Sequence, residues 1–303
     1  MERYKHLNNY LKEKFGQRTL KICIDGGFTC PNRDGTSGFG GCIFCSEKGS
    51  GEHINSMDSI SNQVENYFKS YKAQRASRFI AYFQNFTNTY DTVDNLRKKY
   101  DAALIDDRIV GLSIATRPDC ITEEIVQLLN TYTKKYYVCV ELGLQTSNDN
   151  TGKLINRCYT SSQFTEAVGL LNKYNIDVVT HIMVGLPGES TEDIKNTVDF
   201  LNQHNIQGLK IHSCYVIKNT VLADMYLSGQ YTPITLEDYL SNTAYILTHI
   251  DPNVVIHRVS GDAPKDLLLA PDWNLHKKWI LNGLDKLLKE KNLYQGMYYN
   301  NLK

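Results

Sequence analysis

Nowhere in this 303-residue chain do about 18 apolar residues run together, the length a membrane-crossing helix needs, so no spanning segment is expected. No signal peptide opens the sequence. Of the eight cysteines, Cys120, Cys139, Cys158 and Cys214 are scattered singly, with no framework spacing. That scatter suits a reducing cytosol rather than a disulfide-stapled secreted protein, and a cytoplasmic location is the expectation. Net charge is absent too: 33 Lys and Arg balance 33 Asp and Glu, which argues against a general polyanion binder. The neutrality has unlike parts. Residues 1–21 carry a net +4 and residues 275–303 another +4, leaving the middle at −8. Basic ends on an acidic body suit a local nucleic-acid footprint, or simply a solvated amphipathic helix at each end.

What is present is concentrated near the start. Cys30, Cys42 and Cys45 stand in a C-x11-C-x2-C arrangement within a loop rich in glycine and turn residues. Three thiolates can hold three irons of a [4Fe–4S] cluster and leave the fourth iron open to a ligand. Wrapping backbone closely around such a group needs glycines and tight turns. With Cys23 added, four cysteines also suit structural zinc, and a disulfide pair is a further alternative. Cys23, however, sits in Leu20-Lys-Ile-Cys-Ile-Asp25, which reads as a short strand where a cysteine is usually a small buried hydrophobe.

A hydrophobic fraction of 42% and this length provide for one large α/β barrel or two smaller domains. Strand patterns recur at Leu20–Asp25, Arg78–Gln84, Ile109–Ala115, Tyr137–Leu144, Asp177–Val184 and Gly208–Val216. Helical stretches fall between them at 59–73, 93–101, 122–133, 161–174 and 191–204. Thr122-Glu-Glu and Ser190-Thr-Glu-Asp place acids in first turns. Alternating strands and helices predict a parallel sheet closed into a full or partial (β/α) barrel, with functional groups at the C-terminal strand ends. Polar residues do gather there: Gln84 to Tyr90, Ser113 to Asp119, Glu141 to Thr146, His181 to Glu189 and His212 to Lys218. Their position beside the cysteine loop favours the cluster over zinc.

The cysteine loop, Gln84-x2-Thr-Asn-Thr-Tyr, Thr116-Arg-Pro-Asp, Glu141-Leu-Gly-x-Gln, Asn156-Arg157 and Gly185-Leu-Pro-Gly-Glu together resemble the radical S-adenosylmethionine (radical SAM) superfamily. More closely, the chain is similar to the YhcC/YtqA-like family, relatives of the Elongator catalytic subunit, from about residue 4 to residue 300. The loop departs from the common C-x3-C-x2-C pattern but follows a style of this subgroup. No second cysteine cluster is present, so no auxiliary cluster is implied.

The resemblance implies an α/β fold, a partial (β/α)6 TIM-like barrel over 20–225. A basic helical extension over 1–19 precedes it and a substrate-side α/β extension over 226–303 follows. It implies two cofactors, a [4Fe–4S] cluster on Cys30, Cys42 and Cys45, and SAM chelating its open iron. One-electron reduction by an external flavodoxin- or ferredoxin-type donor would cleave SAM to a 5′-deoxyadenosyl radical, which takes a hydrogen atom from substrate. Gln84, Thr87 and Asn88 are placed like the segment that binds the methionyl group. Ser113, Glu141 and Gln145 are expected at the ribose, Arg157 at the SAM carboxylate, and Met183, Tyr215 and Val216 beside the adenine. Arg117 is expected in cofactor or substrate contact, or in a rigid turn. His181, His212 and Lys218 are substrate or proton-transfer candidates, the histidines being equally readable as satisfied core groups. Arg258 and Asp262 are substrate-side groups or an ordinary salt bridge; Trp273 either stacks a base or packs in the core. The implied substrate is the wobble uridine of transfer RNA, a carboxymethylaminomethyl to aminomethyl step. A small metabolite or peptide substrate, or a metal-bearing RNA-binding module without turnover, are the alternatives.

Overall fold

The computed structural model describes residues 2–49, 51, 54 and 57–300; residue 1 and residues 301–303 of the two expected extensions lie outside them. Seven parallel strands form one curled sheet. They are β1 (Thr19–Ile24), β2 (Arg78–Phe83), β3 (Ile109–Thr116), β4 (Tyr137–Gln145), β5 (Asp177–Val184), β6 (Gly208–Ser213) and, after the short β7 (Val216–Ile217), β8 (Val255–Arg258). Apart from β7, the spatial order follows the chain order, as right-handed crossover connections require. β7 pairs instead with β9 (Leu268–Ala270) as a small antiparallel ribbon.

The helices are α1 (Leu7–Phe15), α2 (Ile60–Lys69), α3 (Val93–Asp101), α4 (Glu123–Thr133), α5 (Asp149–Leu154), α6 (Ser161–Lys173), α7 (Thr191–Asn202), α8 (Val221–Leu227), α9 (Leu236–His249) and α10 (Lys277–Glu290). Side-chain caps start several of them. Thr92, Thr122 and Thr235 each accept from a backbone N–H in the first turn, and Thr160 with Gln163 forms a capping box.

The period of two along each strand separates two interiors. Ile22, Ile24, Phe79, Phe83, Leu112, Ile114, Val140, Leu142, Ile182, Leu209 and Ile211 face outward into one continuous apolar core under the helices. Lys21, Cys23, Tyr82, Glu141, His181, Lys210 and His212 face the other way and line the barrel cavity. Cys23 is therefore not the buried hydrophobe the strand reading expects; it is exposed on that inner wall.

A seventh strand joins the six expected. β8 spans only four residues after α9, too short for alternation to announce. The two basic ends meet beside it. His6 bridges Ile256, Arg3 Nη1 donates to Asn292 Oδ1 at 2.9 Å, and the Lys5 backbone N–H donates to Gln295 Oε1 at 2.9 Å.

Candidate active site

A cavity of about 680 Å³ occupies the barrel, and the cysteine loop forms one wall of it. The loop leaves β1 and folds back through a turn in which the Arg33 N–H donates to the Cys30 carbonyl at 2.8 Å. Gly40 and Gly41 both hold left-handed conformations, φ +76° and +78°, which side chains resist and glycine adopts freely. They deliver the chain into Cys42, and the Cys45 N–H closes back on the Cys42 carbonyl at 2.9 Å. Cys30, Cys42 and Cys45 all line the cavity. They also sense one another: burial pushes Cys42 up to about 12, Cys45 and Cys30 add to that, and Arg117 opposes it.

The Asn156-Arg157 pair braces this loop from behind. The Asn156 side-chain amide donates to the carbonyls of Phe39 and Gly41 at 3.0 and 2.8 Å. Arg157 is completely buried. Its guanidinium donates to the carbonyls of Leu144, Thr146 and Tyr159 at 2.6, 2.7 and 3.0 Å, and to Asp149 at 2.8 Å. Four of its five N–H bonds are so used, and the side chain is fully buried away from the cavity lining, so it does not meet a SAM carboxylate there: Arg157 ties β4 to the turn before α6. Arg117 stands on the cavity side of it. A bidentate pair to Asp119, 2.9 and 2.7 Å, fixes its plane; its Nη1 donates to the Arg157 carbonyl at 3.1 Å and lies 4.0 Å from Cys30 Sγ.

Of the residues expected in the site, Gln84, Thr87, Arg117, Glu141, Gln145, His181, His212, Tyr215, Arg258 and Asp262 line the cavity with the three cysteines. The others lie elsewhere. Asn88 is buried and donates to the carbonyls of Ala115 and Phe83, holding β2 to β3 at their ends. Ser113 is buried beneath Glu141. Met183 and Val216 belong to a second apolar cluster around Leu222 and Tyr231. Lys218 donates outward to the Asp266 carbonyl. Trp273 packs on Tyr239 with ring centroids 5.2 Å apart and donates to the Ile234 carbonyl, so it belongs to the core.

Glu141 lines the cavity with both carboxylate oxygens already engaged. Lys21 and Ser113 meet Oε1, Ser113 at 2.7 Å; Lys210 and His181 meet Oε2, His181 at 2.7 Å. It is therefore not free to receive ribose hydroxyls. Burial raises its pKa, but Lys21 and Lys210 outweigh that and hold it well below the ordinary carboxylate range. Burial pulls Lys21 down, and Glu141 more than offsets this, leaving it raised. Burial dominates at Lys210, which falls to about 8, with Lys21 and Arg258 acting in the same direction against Glu141. His181 falls to about 4, by burial first and Lys210 next. It is a neutral imidazole near pH 7, its Nε2–H donated to the carboxylate.

Lys21 and Lys210 are missing from the residues expected in the site because a lysine within a strand reads as solvent-facing. The sequence does hold a signal for them. Lys21 and Cys23, and Lys210 and His212, share parity on strands that a curled parallel sheet covers on both faces.

An Fe–S cluster needs thiolates on one wall of a cavity, N–H groups near the sulfurs and room for a second ligand. Cys30, Cys42 and Cys45 with Arg117, the Asn32 amide 3.8 Å from Cys42 Sγ and the cavity beside them meet those requirements. Among the described residues, no three His, Cys, Asp or Glu side chains are gathered to hold a single metal ion. A parallel (β/α) sheet around such a cavity defines a class, the radical SAM enzymes, and sequence comparison agrees. The Radical SAM superfamily model matches residues 30–201 and the Radical_SAM C-terminal domain model residues 206–290.

The chain belongs to the radical SAM superfamily and, within it, to the YhcC/YtqA-like family related to Elongator. YtqA of Bacillus subtilis (strain 168) is 38% identical over 303 residues, spanning 99% of this chain and 94% of that protein. A tRNA uridine(34) acetyltransferase of Dehalococcoides mccartyi is 35% identical over 167 residues, 54% of this chain and 36% of that one. Among solved structures, the archaeal Methanocaldococcus infernus Elp3 shares the fold with a TM-score of 0.68 at 18% identity, over 91% of this chain and 64% of that one. The cofactors of the superfamily are a [4Fe–4S] cluster and SAM. Among the described residues no helix is long and apolar enough to cross a membrane.

Proposed function

We propose that this radical SAM enzyme acts on the wobble uridine of transfer RNA, converting a carboxymethylaminomethyl substituent toward aminomethyl. Loss of a hydrogen atom and then an electron from the methylene beside the carboxylate would give an imine that water cleaves to the aminomethyl group and glyoxylate, with SAM the net oxidant. Cys30, Cys42 and Cys45 would hold the cluster, which with SAM supplies a 5′-deoxyadenosyl radical for hydrogen abstraction. Arg117, held rigid by Asp119 beside Cys30, would fix the charge at the sulfurs. Gln84 and Thr87, beside the cysteine loop, where the Thr87 N–H donates to the Thr29 carbonyl at 3.2 Å, would orient the methionyl end, and Gln145, anchored by the Tyr159 hydroxyl at 2.6 Å, the nucleoside end. An external flavodoxin- or ferredoxin-type protein would deliver the electron.

The observation carrying the RNA reading is the likeness, over 54% of this chain, to a protein named as a tRNA uridine(34) acetyltransferase. The fold adds support, since the two basic ends of the sequence, net +3 over residues 2–20 and +3 over residues 275–300, pack against each other, a footprint suited to phosphate. The test is anaerobic reconstitution followed by incubation with SAM, dithionite and transfer RNA bearing the carboxymethylaminomethyl group. Formation of the aminomethyl nucleoside supports the reading, and SAM cleavage with unaltered RNA removes it.

A further inference from the structure

The floor of the cavity holds more positive than negative charge. Lys21 and Lys210 both contact Glu141, each on a different oxygen, so two ammonium groups share one carboxylate. The neutral His181 adds nothing to the balance. Further up the wall, Arg258 lies beside Lys210 in the sheet register and pairs with Asp262 at 3.2 Å; Asp262 also takes Lys277 at 2.9 Å.

Counting donors gives the same result. An ammonium has three N–H bonds. Lys21 directs two at Glu141 and Ser113, the latter at 3.2 Å. Lys210 directs two at Glu141 and the Tyr82 hydroxyl, the latter at 3.0 Å. Each has one donor left, and both line the cavity. Both ammonium groups also lie close to the Tyr82 ring, Lys21 Nζ 4.6 Å and Lys210 Nζ 4.5 Å from its centroid, so the two are held rather than free to swing out to water.

We infer that Lys21 and Lys210 form a carboxylate-binding floor, and that the substrate group entering the barrel ends in an acid. The inference rests on the proposal that a substituted wobble uridine enters this cavity, and it names the part of that substituent the protein grips. Depth separates this site from the SAM carboxylate. Lys21 lies three residues before Ile24, the end of β1, and Lys210 three before Ser213, the end of β6. At 3.3 Å per residue that is about 10 Å below the rim where the cysteine loop begins, whereas a group chelating the cluster stays at the rim. The pKa of Lys210, lowered to about 8 by burial and then by Lys21 and Arg258 against Glu141, marks the same unbalanced charge; an incoming anion relieves it.

The test is equilibrium binding to the reconstituted holoenzyme with SAM and no reductant. The probes are the nucleoside carboxymethylaminomethyl-uridine, its methylamide and aminomethyl-uridine. The acid should bind about tenfold tighter than the amide. Lys21→Met and Lys210→Met, each leaving one lysine balanced by Glu141, should bring the acid-to-amide ratio close to one while SAM affinity is retained. Glu141→Gln, which removes the competing anion, should raise the ratio, an outcome that a merely structural role does not give. Equal binding of acid and amide by the unaltered enzyme overturns the inference and needs no variant to fold. Acid preference without modification of any transfer RNA would instead remove the wobble proposal and leave the carboxylate floor standing.

Discussion

Lys21 on the first strand and Lys210 on the sixth meet one on each oxygen of Glu141, both beside the Tyr82 ring. Curling of the sheet creates this contact, and removing its central carboxylate should affect both the stability of the barrel and the charge of its floor.

Removing Glu141 should therefore unsettle the fold. Glu141→Ala leaves two lysines in a largely buried site without their anion, and breaking a buried pair from one side costs about 3–5 kcal/mol. Urea unfolding should show a loss of that order, with Glu141→Gln closer to the parent because hydrogen bonds remain. A Glu141→Ala protein as stable as the parent would mean that water or rearrangement already neutralises the site.

The same carboxylate sets an acid limit. Its folded pKa lies below its unfolded value, so its contribution is complete above the unfolded pKa, about 4.3, and is lost as pH falls through the folded value. The stability difference between the parent and Glu141→Gln, measured by denaturation, should hold from neutrality to about pH 5 and shrink at more acid pH. A difference that grows on acidification has the wrong sign for this account.

Lys210 should give the carboxylate floor an alkaline edge. With a folded pKa of about 8, its ammonium is present below pH 8 and lost above it, and an anion favours the charged form. Affinity for the acid probe should fall as pH rises through 8 and beyond, by up to about tenfold per unit, until the higher pKa of the bound state is reached. Lys210→Met should flatten this limb. A profile unchanged by the substitution assigns the titration to another group.

Arg157 is predicted to be structural. Its guanidinium serves three carbonyls and Asp149 in a fully buried site, a planar fork that lysine cannot reproduce. Arg157→Lys should cost stability, about 2 kcal/mol or more, measured by thermal unfolding. SAM affinity of the folded fraction should be retained. A stable variant with weakened SAM binding would restore the carboxylate role that the geometry takes from it.

Substituting Cys30, Cys42 or Cys45 by Ala should each prevent reconstitution to about four irons per chain, while Cys23→Ala, on the inner wall of β1, should load fully. Iron and sulfide analysis decides. Loss of iron in the Cys23 variant would add a fourth ligand to the set.

Much of this arrangement is readable along the chain, because local pattern carries it. β2, β3, β4, β5 and β6 begin at the residues where the alternating and β-branched runs begin, and the polar strand ends do face one cavity. What the chain order hides is contact made by curling the sheet. Lys21 and Lys210 look like surface residues until both faces of their strands are known to be buried. Arg157 looks like a ligand for an anion because guanidinium chemistry is the same whether the acceptor is a cofactor or the backbone. Val216 and Lys218 look like barrel residues because the sixth run continues past Ser213, whereas the chain turns there to pair with β9.

The central claim is the reaction on transfer RNA, and mass spectrometry of transfer-RNA nucleosides from cells with and without this gene tests it most directly. The account predicts that loss of the gene depletes aminomethyl-type wobble uridines and accumulates the carboxymethylaminomethyl form. Identical wobble nucleosides in the two strains would contradict it.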